Sequence, residues 1–296
     1  MPLDRLVADK RASGTTVSVV IAALDEATTI GPIVTSVMGL VGTGAVDELV
    51  VVDGGSADGT AATAADAGAR VVDQTAHDAP GGPGRGKGDA MWKGLAATTG
   101  DVVAFIDGDV TDWDTAFVTG PVGVLLGDGA LQLVKAVYDR PLVSGGQRDA
   151  RGGGRVTELV ARPLIATFWP GLNDLAQPLS GEYAARRAAL TAVPFPCGYG
   201  VELALLVDIA AAHGVDAIGQ VDVGERVHAN QSLDALGRMA AEVLHAAARR
   251  VGVDVERLGT TLRQPRRGAD GRIIWSDATL NVAERPSYAA WAAAQG

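Results

Sequence analysis

DVVAFIDGDV, residues 101–110, decides the architecture. The apolar run 102–106 has no polar break, so it reads as a strand buried on both faces, as in a parallel sheet covered by helices. Directly behind it stand Asp107 and Asp109. At the end of an extended strand, residues i and i+2 point to the same side, so both carboxylates aim into one crevice. They repel there unless a cation lies between or beside them, and a hard divalent ion such as Mg2+ or Mn2+ suits such oxygen ligands. The competing reading is a polar turn in which one aspartate caps the next helix.

The same alternation recurs on either side of this stretch. Residues 16–23 (TVSVVIAA) and 48–52 (ELVVV) read as buried strands, and 70–72 as a short third one. Between them 29–40 is helical by spacing, with Ile30, Ile33, Val34 and Val37 on one face, and Asp58 can cap a helix through 61–67. Residues 89–97 read as the helix before the 102–106 strand. Repeated units of this kind predict an α/β fold with a mostly parallel, Rossmann-like sheet flanked by helices. The second half is less regular. Residues 131–137 and 217–223 read as strands, 156–167 and 201–213 as helices, and 145–154 as a glycine-rich loop. Ser232 can cap a last long helix whose apolar stripe is Leu233, Leu236, Ala240, Val243, Leu244, Ala247 and Val251. From about residue 256 the pattern dissolves. RQPRRGADGR (263–272) reads as a mobile segment, and the last stretch as packing elsewhere on this chain or on another subunit.

Composition narrows the function. The chain has 296 residues, with Lys+Arg 25 against Asp+Glu 35 and a net charge of −10. Such a balance disfavours general nucleic-acid binding and anionic membranes, and leaves an anionic ligand only a locally basic site. The position of the few lysines (Lys10, Lys87, Lys93 and Lys135) is therefore informative. The single cysteine, Cys197, excludes an internal disulfide and a multi-cysteine zinc site. No apolar run is long enough to cross a bilayer and no signal-peptide core is present, so the chain reads as cytoplasmic.

Ligands of parallel α/β sheets bind at the carboxyl ends of the strands. Four unusual segments fall there: residues 23–26 (ALDE), 53–60 (DGGSADGT), 81–88 (GGPGRGKG) and 107–109 (DGD). Lys87 is framed by glycines that let backbone approach a phosphate, while its ammonium supplies a point charge. The alternative is a solvated loop charge. Gly88 stands where a Walker A loop has Ser or Thr, and the first strand carries no dinucleotide fingerprint. Glu26 and Ser56 read equally as helix caps and as site residues. Glycines 152–154 with Arg155 open a helix whose amides favour an anion, or else form a flexible loop with an exposed Arg. A lone His228 at a strand end reads as structural.

Taken together, TVSVVIAALDE, VVDGGSADGT, the Lys87 loop and DVVAFIDGDV resemble the GT-A glycosyltransferases, which bind a nucleotide-sugar through a D-x-D metal site. GGGRVTELVARPL (152–164), QPLSGEYAA (177–185), PFPCGYGVE (194–202) and GERVHAN (224–230) narrow this to the glucosyl-3-phosphoglycerate synthases, relatives of the mannosyl-3-phosphoglycerate synthases. The similarity runs from about Thr16 to Val251.

The resemblance implies a retaining transfer of glucose from UDP-glucose to 3-phosphoglycerate, with Mg2+ or Mn2+ as cofactor and a homodimer as assembly. It implies donor contacts from Ala23, Leu24, Glu26, Ser56, Lys87, Asp107, Gly108, Leu179 and Tyr199, the last of these flanking the sugar with Glu202. It places the metal on Asp109 and His228, and the acceptor on Gly154, Arg155, Thr157 and Asn230. Lys87, Asp107 and Glu202 carry the chemistry, Glu202 by positioning the sugar. The chain then divides into an N-terminal arm (1–15), a nucleotide-sugar-binding region (16–140), an acceptor-binding and catalytic region (141–255), and a mobile segment with C-terminal tail (256–296). Ala22 stands where the family has Pro, Gly108 replaces another small residue, 142–151 is short and 168–177 diverges; these departures leave the donor chemistry in place and bear on acceptor-loop closure and acceptor identity. A different small anionic acceptor is the near alternative. A sugar-phosphate nucleotidyltransferase would carry its glycine loop directly after the first strand, where this chain has ALDE. A non-catalytic nucleotide-sugar sensor would not need Asp107, Asp109, Lys87, Arg155 and His228 together.

Overall fold

Strand follows helix through the first half of the computed structural model, which describes residues 2–144, 147–149, 153–226 and 231–295. After helix α1 (Leu3–Ser13) come β1 (Val17–Ala23), α2 (Ile30–Thr43), β2 (Glu48–Asp53), α3 (Thr60–Asp66) and β3 (Arg70–Asp73). Then follow α4 (Lys87–Ala97), β4 (Val102–Asp107), α5 (Ala116–Gly127) and β5 (Leu133–Asp139). Short strands β6 (Leu142–Ser144) and β7 (Gln147–Asp149) pair with each other. A π turn (Thr157–Ala161) leads into α6 (Arg162–Phe168), and β8 (Tyr183–Arg186), α7 (Arg187–Ala192) and β9 (Phe195–Pro196) come next. The chain continues through α8 (Val201–His213), β10 (Ile218–Glu225) and α9 (Leu233–Arg250).

Among the described residues the main sheet runs β10-β5-β8-β4-β1-β2-β3. The parallel register sets Ala22 against Asp107, Ala23 against Asp53, and Asp53 against Asp73. This alignment brings the carboxyl ends of four strands to one edge, as the alternation of the sequence requires. Strands such as VVAFI in β4 are continuously apolar because both faces are covered: Ala104 and Ile106 pack in one core cluster, Val103 and Phe105 in the other.

Two elements of the sheet layer are absent from the sequence reading. Strand β8 is the one antiparallel member of the main sheet, inserted between β4 and β5. Its four residues (YAAR) are too few for a periodic signal. Helix α5 is apolar nearly all round, with Gly120, Pro121 and Gly123 buried inside it, so it shows neither an amphipathic stripe nor a clean composition. Its glycines serve packing: a Cβ on Gly120 would lie 2.9 Å from Val223.

The C-terminal expectation is corrected. Residues 263–272, read as mobile, belong to an antiparallel hairpin of β11 (Thr261–Arg267) and β12 (Ile273–Thr279). One face is half-buried through Leu262, Gln264, Ser276 and Ala278, but these are mostly polar or small and the strands carry charge on both faces, so no apolar alternation marks them. The tail packs on its own chain, with β13 (Glu284–Arg285) on β9, and Tyr288 and Trp291 of α10 (Tyr288–Ala293) on Trp92. Residues 1–15, set apart as an arm, hold α1, which buries Leu6 and pairs Lys10 with Asp47 at 2.8 Å. The Ser232 cap forms, accepting from the Ala235 amide. Only part of the α9 stripe is covered: Val243 and Ala247 are buried, whereas Leu233 and Leu244 remain exposed.

Candidate active site at the carboxyl edge of the sheet

The loops after β1 and β2 are laced to each other. Asp25 has φ 58, a left-handed conformation that costs a non-glycine residue about 1–2 kcal/mol. Local hydrogen bonds offset this strain. The Asp25 amide donates to Ser56 Oγ at 2.9 Å, and the Asp25 carboxylate accepts from the Ala57 amide at 2.9 Å. The Glu26 amide donates to Thr60 Oγ1 at 2.8 Å, and Asp53 accepts from the amides of Gly55 and Ser56. Ser56 therefore fixes the strand-end turn, and capping of α3 does not explain it. Leu24, beside buried Ala23, is 57% exposed, an apolar face at a polar edge. Burial first, and then the nearby carboxylates of Asp109, Asp107 and Asp58, push the Glu26 carboxyl up to about 7.

At the centre stands a chain of alternating charges. Lys87, at the first position of α4, lies 2.6 Å from Asp107 Oδ1 and 2.6 Å from Glu202 Oε1, the acid in the first turn of α8. Arg226, only 2% exposed, places one nitrogen 3.2 Å from Asp107, 2.7 Å from Asp109 and 3.2 Å from Glu182. Tyr138 donates a short hydrogen bond to Glu182 and accepts one from Arg140 at 3.2 Å. Burial alone would discharge the Lys87 ammonium. Asp107 and Glu202 override it and hold the Lys87 pKa well above the ordinary range. Burial likewise opposes ionisation of Asp107, but Lys87 and Arg226 hold its carboxyl well below the usual range. Removing either cation would leave buried carboxylates uncompensated, which costs about 3–5 kcal/mol.

Close approach explains the glycine beside this cluster. A Cβ on Gly181 would sit 2.2 Å from Asp107 Oδ2, so only glycine lets the 179–182 segment pass under that carboxylate. At Gly108 a Cβ would meet Ala22 O and Ala23 Cβ at 3.3 Å, tight but within reach of a small shift. Gly108 O accepts from Thr29 Oγ1 at 2.6 Å, which ties the Asp107–Asp109 turn to α2.

Of the residues expected from sequence, Ala23, Leu24, Glu26, Ser56, Lys87, Asp107, Gly108, Asp109 and Glu202 gather at this edge. Leu179 is half-buried ahead of β8, and Tyr199 is 43% exposed with its amide donating to Glu242 at 2.8 Å. Gly154 takes φ 70 before the helical turn in which Thr157 is buried, and Arg155 donates to Gln231 O at 3.1 Å. His228 and Asn230 lie outside the described residues. Arg226, Glu182, Tyr138 and Gly181 were missed. The signal for Arg226 was its place two residues before His228, inside the GERVHAN stretch already singled out. Among the described residues no three His, Cys, Asp or Glu side chains group as metal ligands. The fit of a cation is nevertheless visible. A single guanidinium nitrogen bridges Asp107 and Asp109, and four carboxylates face the two cations Lys87 and Arg226 in contact with them. The excess of two negative charges suits a divalent ion. Asp109, 31% exposed, is the carboxylate open to it.

A family model described as glycosyl transferase family 2 matches residues 18–116. The chain is 49% identical over 257 residues to the glucosyl-3-phosphoglycerate synthase of Mycolicibacterium smegmatis, covering 86% of this chain and 84% of that protein. The crystal structure of the Mycobacterium tuberculosis glucosyl-3-phosphoglycerate synthase with Mn2+, UDP and phosphoglyceric acid superposes with a TM-score of 0.86. That pair is 43% identical, and the match covers 98% of this chain and 95% of the other. The same enzyme with Mn2+ and UDP-glucose also gives a TM-score of 0.86, at 42% identity and with 98% and 95% covered.

Proposed function

The chain belongs to the glucosyl-3-phosphoglycerate synthases, and from that premise we propose how its residues divide the reaction. The protein is a glycosyltransferase that moves glucose from UDP-glucose to 3-phosphoglycerate, with a divalent metal as cofactor. The single observation that carries the division of roles is the charge chain Glu202–Lys87–Asp107–Arg226–Asp109 at the carboxyl edge of the sheet.

Ala23, Leu24, Glu26 and Ser56 hold the uridine, with the exposed Leu24 offering its face to the base. Lys87 meets the diphosphate: its ammonium is kept charged by two carboxylates and stands at a helix N-terminus, where phosphate is favoured. Asp107 and Asp109 act as the D-x-D pair. Asp109 with His228 would hold the metal, either Mn2+ or Mg2+, which when bound supplies positive charge to the departing diphosphate. Gly108, Leu179, through its backbone, and Tyr199 complete the donor side. Gly154, Arg155, Thr157 and Asn230 take the phosphate and carboxylate of the acceptor, with Arg155 as the bidentate donor.

In the transfer, the bond between glucose C1 and the β-phosphate oxygen breaks, and a bond from C1 to the acceptor hydroxyl oxygen forms on the same face. The hydroxyl proton passes to the departing phosphate. Lys87 stabilises the charge that develops there. Glu202, engaged by Lys87 at 2.6 Å, orients the sugar and forms no covalent bond to it. A covalent glycosyl adduct trapped on Glu202 would overturn this division.

The chain works as a homodimer, in which a second copy covers the exposed Ile273 and Trp275, which share one face of the hairpin. On this reading it works in the cytoplasm. No helix among the described residues is long and apolar enough to cross a membrane. Incubation with UDP-glucose, Mn2+ and 3-phosphoglycerate is expected to release UDP. No release would sink the proposal, and release only with a different acid would move the acceptor.

A further inference from the structure

The loop that carries Lys87 (79–88) is dense in glycine, and such a loop has more conformational freedom to lose than any other. A site for a diphosphate cannot be left to such a loop unless something holds it. Its carbonyl groups are held by a segment 196 residues further along the chain. Asn281 donates to Arg85 O at 2.7 Å. Arg285 donates to Gly81 O at 2.7 Å and to Pro83 O at 3.5 Å, and its Nε reaches Asp89 at 2.5 Å. Asp89 is fully buried beneath the loop, where it also accepts from Gln74 at 2.7 Å and pairs with Lys93 at 3.1 Å.

The segment that holds the loop is itself fixed. Arg285 lies in β13, paired with β9, and Pro286 O accepts from the Trp92 indole at 2.9 Å. Glu242 accepts the Asn281 amide at 2.9 Å with one oxygen and the Tyr199 amide at 2.8 Å with the other. The fit leaves no slack: a Cβ on Gly86 would lie 2.4 Å from Asn281 Nδ2, and one on Gly88 would lie 1.8 Å from Pro196 O.

We propose that residues 281–285 form a strap that sets the Lys87 loop, with Arg285 and Asn281 as positioning residues for donor binding. Neither side chain touches the diphosphate in this arrangement. Each acts through loop carbonyls, so that the loop backbone and the Lys87 ammonium arrive in register. The inference rests on the reading that this loop meets the diphosphate of the donor.

The test measures UDP binding by calorimetry in the presence of Mn2+, together with the two Michaelis constants and the melting temperature. The variants are Arg285→Gln, Arg285→Lys and Asn281→Ala in the full chain. Arg285→Gln and Asn281→Ala are expected to weaken UDP binding and raise KM for UDP-glucose by about fivefold or more. KM for 3-phosphoglycerate should stay near the parent value, and Arg285→Lys, which keeps the charge against Asp89 but loses the fork, should fall between. UDP affinity within about twofold of the parent in both variants would overturn the strap, as would equal rises in both Michaelis constants. Should Arg285→Gln fail to fold, Asn281→Ala decides alone. A parent protein that does not bind UDP would instead overturn the reading of the site.

Discussion

Asp107 and Asp109 are spaced alike by the strand but differ in what they can still offer. Asp107 gives one oxygen to Lys87 and the other to Arg226, whereas Asp109 meets the guanidinium through Oδ1 and is more exposed. Asp109→Ala is therefore expected to abolish detectable Mn2+ binding by calorimetry and to lower turnover by about two orders of magnitude or more, while the fold is retained. Full turnover at saturating metal would contradict the metal assignment. Lys135 yields a prediction of a different kind. It is fully buried, donates to Ser180 O at 2.5 Å and lies 4.3 Å from the centre of the Tyr183 ring. Burial first, partly countered by Glu202, lowers its pKa from 10.5 to about 7. Between those values the unfolded chain binds a proton that the folded chain lacks, so stability should rise with pH across that window, by at most about 1.4 kcal/mol per pH unit. Lys135→Met should flatten that limb of the stability profile in urea unfolding. An unchanged slope would show that Lys135 stays charged.

At the scale of elements, the placing of charges depends on β8 running against its neighbours. Because β8 is antiparallel to β4 and β5, its entry segment arrives at the carboxyl edge of both. Glu182 and Gly181 therefore sit beneath Arg226 and Asp107. Gly181→Ala should push Asp107 off Lys87, raise KM for UDP-glucose and lower kcat/KM by about ten- to a hundredfold. Kinetics equal to the parent would show that the close approach has no role in donor binding. The same element marks where the sequence stops being legible. The strands 16–23, 48–52 and 102–106, and the aspartates behind the last, could be read because strand, turn and site are contiguous. The contacts that Arg226, Glu182 and Tyr138 make there could not, since Arg226 is 119 residues from Asp107 and only the order of strands brings them together; the GERVHAN stretch marks Arg226 without saying what it meets. The tail was misread for a related reason. The half-buried face of its hairpin carries Leu262, Gln264, Ser276 and Ala278, mostly polar or small, so the alternation is there in the structure but not as an apolar pattern in the sequence.

For the whole molecule, a net charge of −10 and two polyanionic substrates look incompatible until the charges are located. The acidic surplus includes the four carboxylates of the site, which Lys87, Arg226 and a divalent ion would bring to balance. Phosphate groups then meet local positive charge inside a negative protein. The exposed apolar residues are also located. Ile273 and Trp275 share one face of β12 and are each more than half exposed, an apolar surface of the kind that marks an interaction. Trp275→Asp is expected to convert a dimer to a monomer in sedimentation velocity, and a parent chain that sediments as a monomer would contradict the homodimer. Glucosyl transfer to 3-phosphoglycerate is proposed to retain the configuration at C1. Its most direct measurement is proton NMR of the product formed from UDP-glucose, 3-phosphoglycerate and Mn2+. An α-linked glucosyl-3-phosphoglycerate, formed together with UDP, is expected. A β-linked product, or UDP-glucose left intact beside unreacted 3-phosphoglycerate, would contradict it.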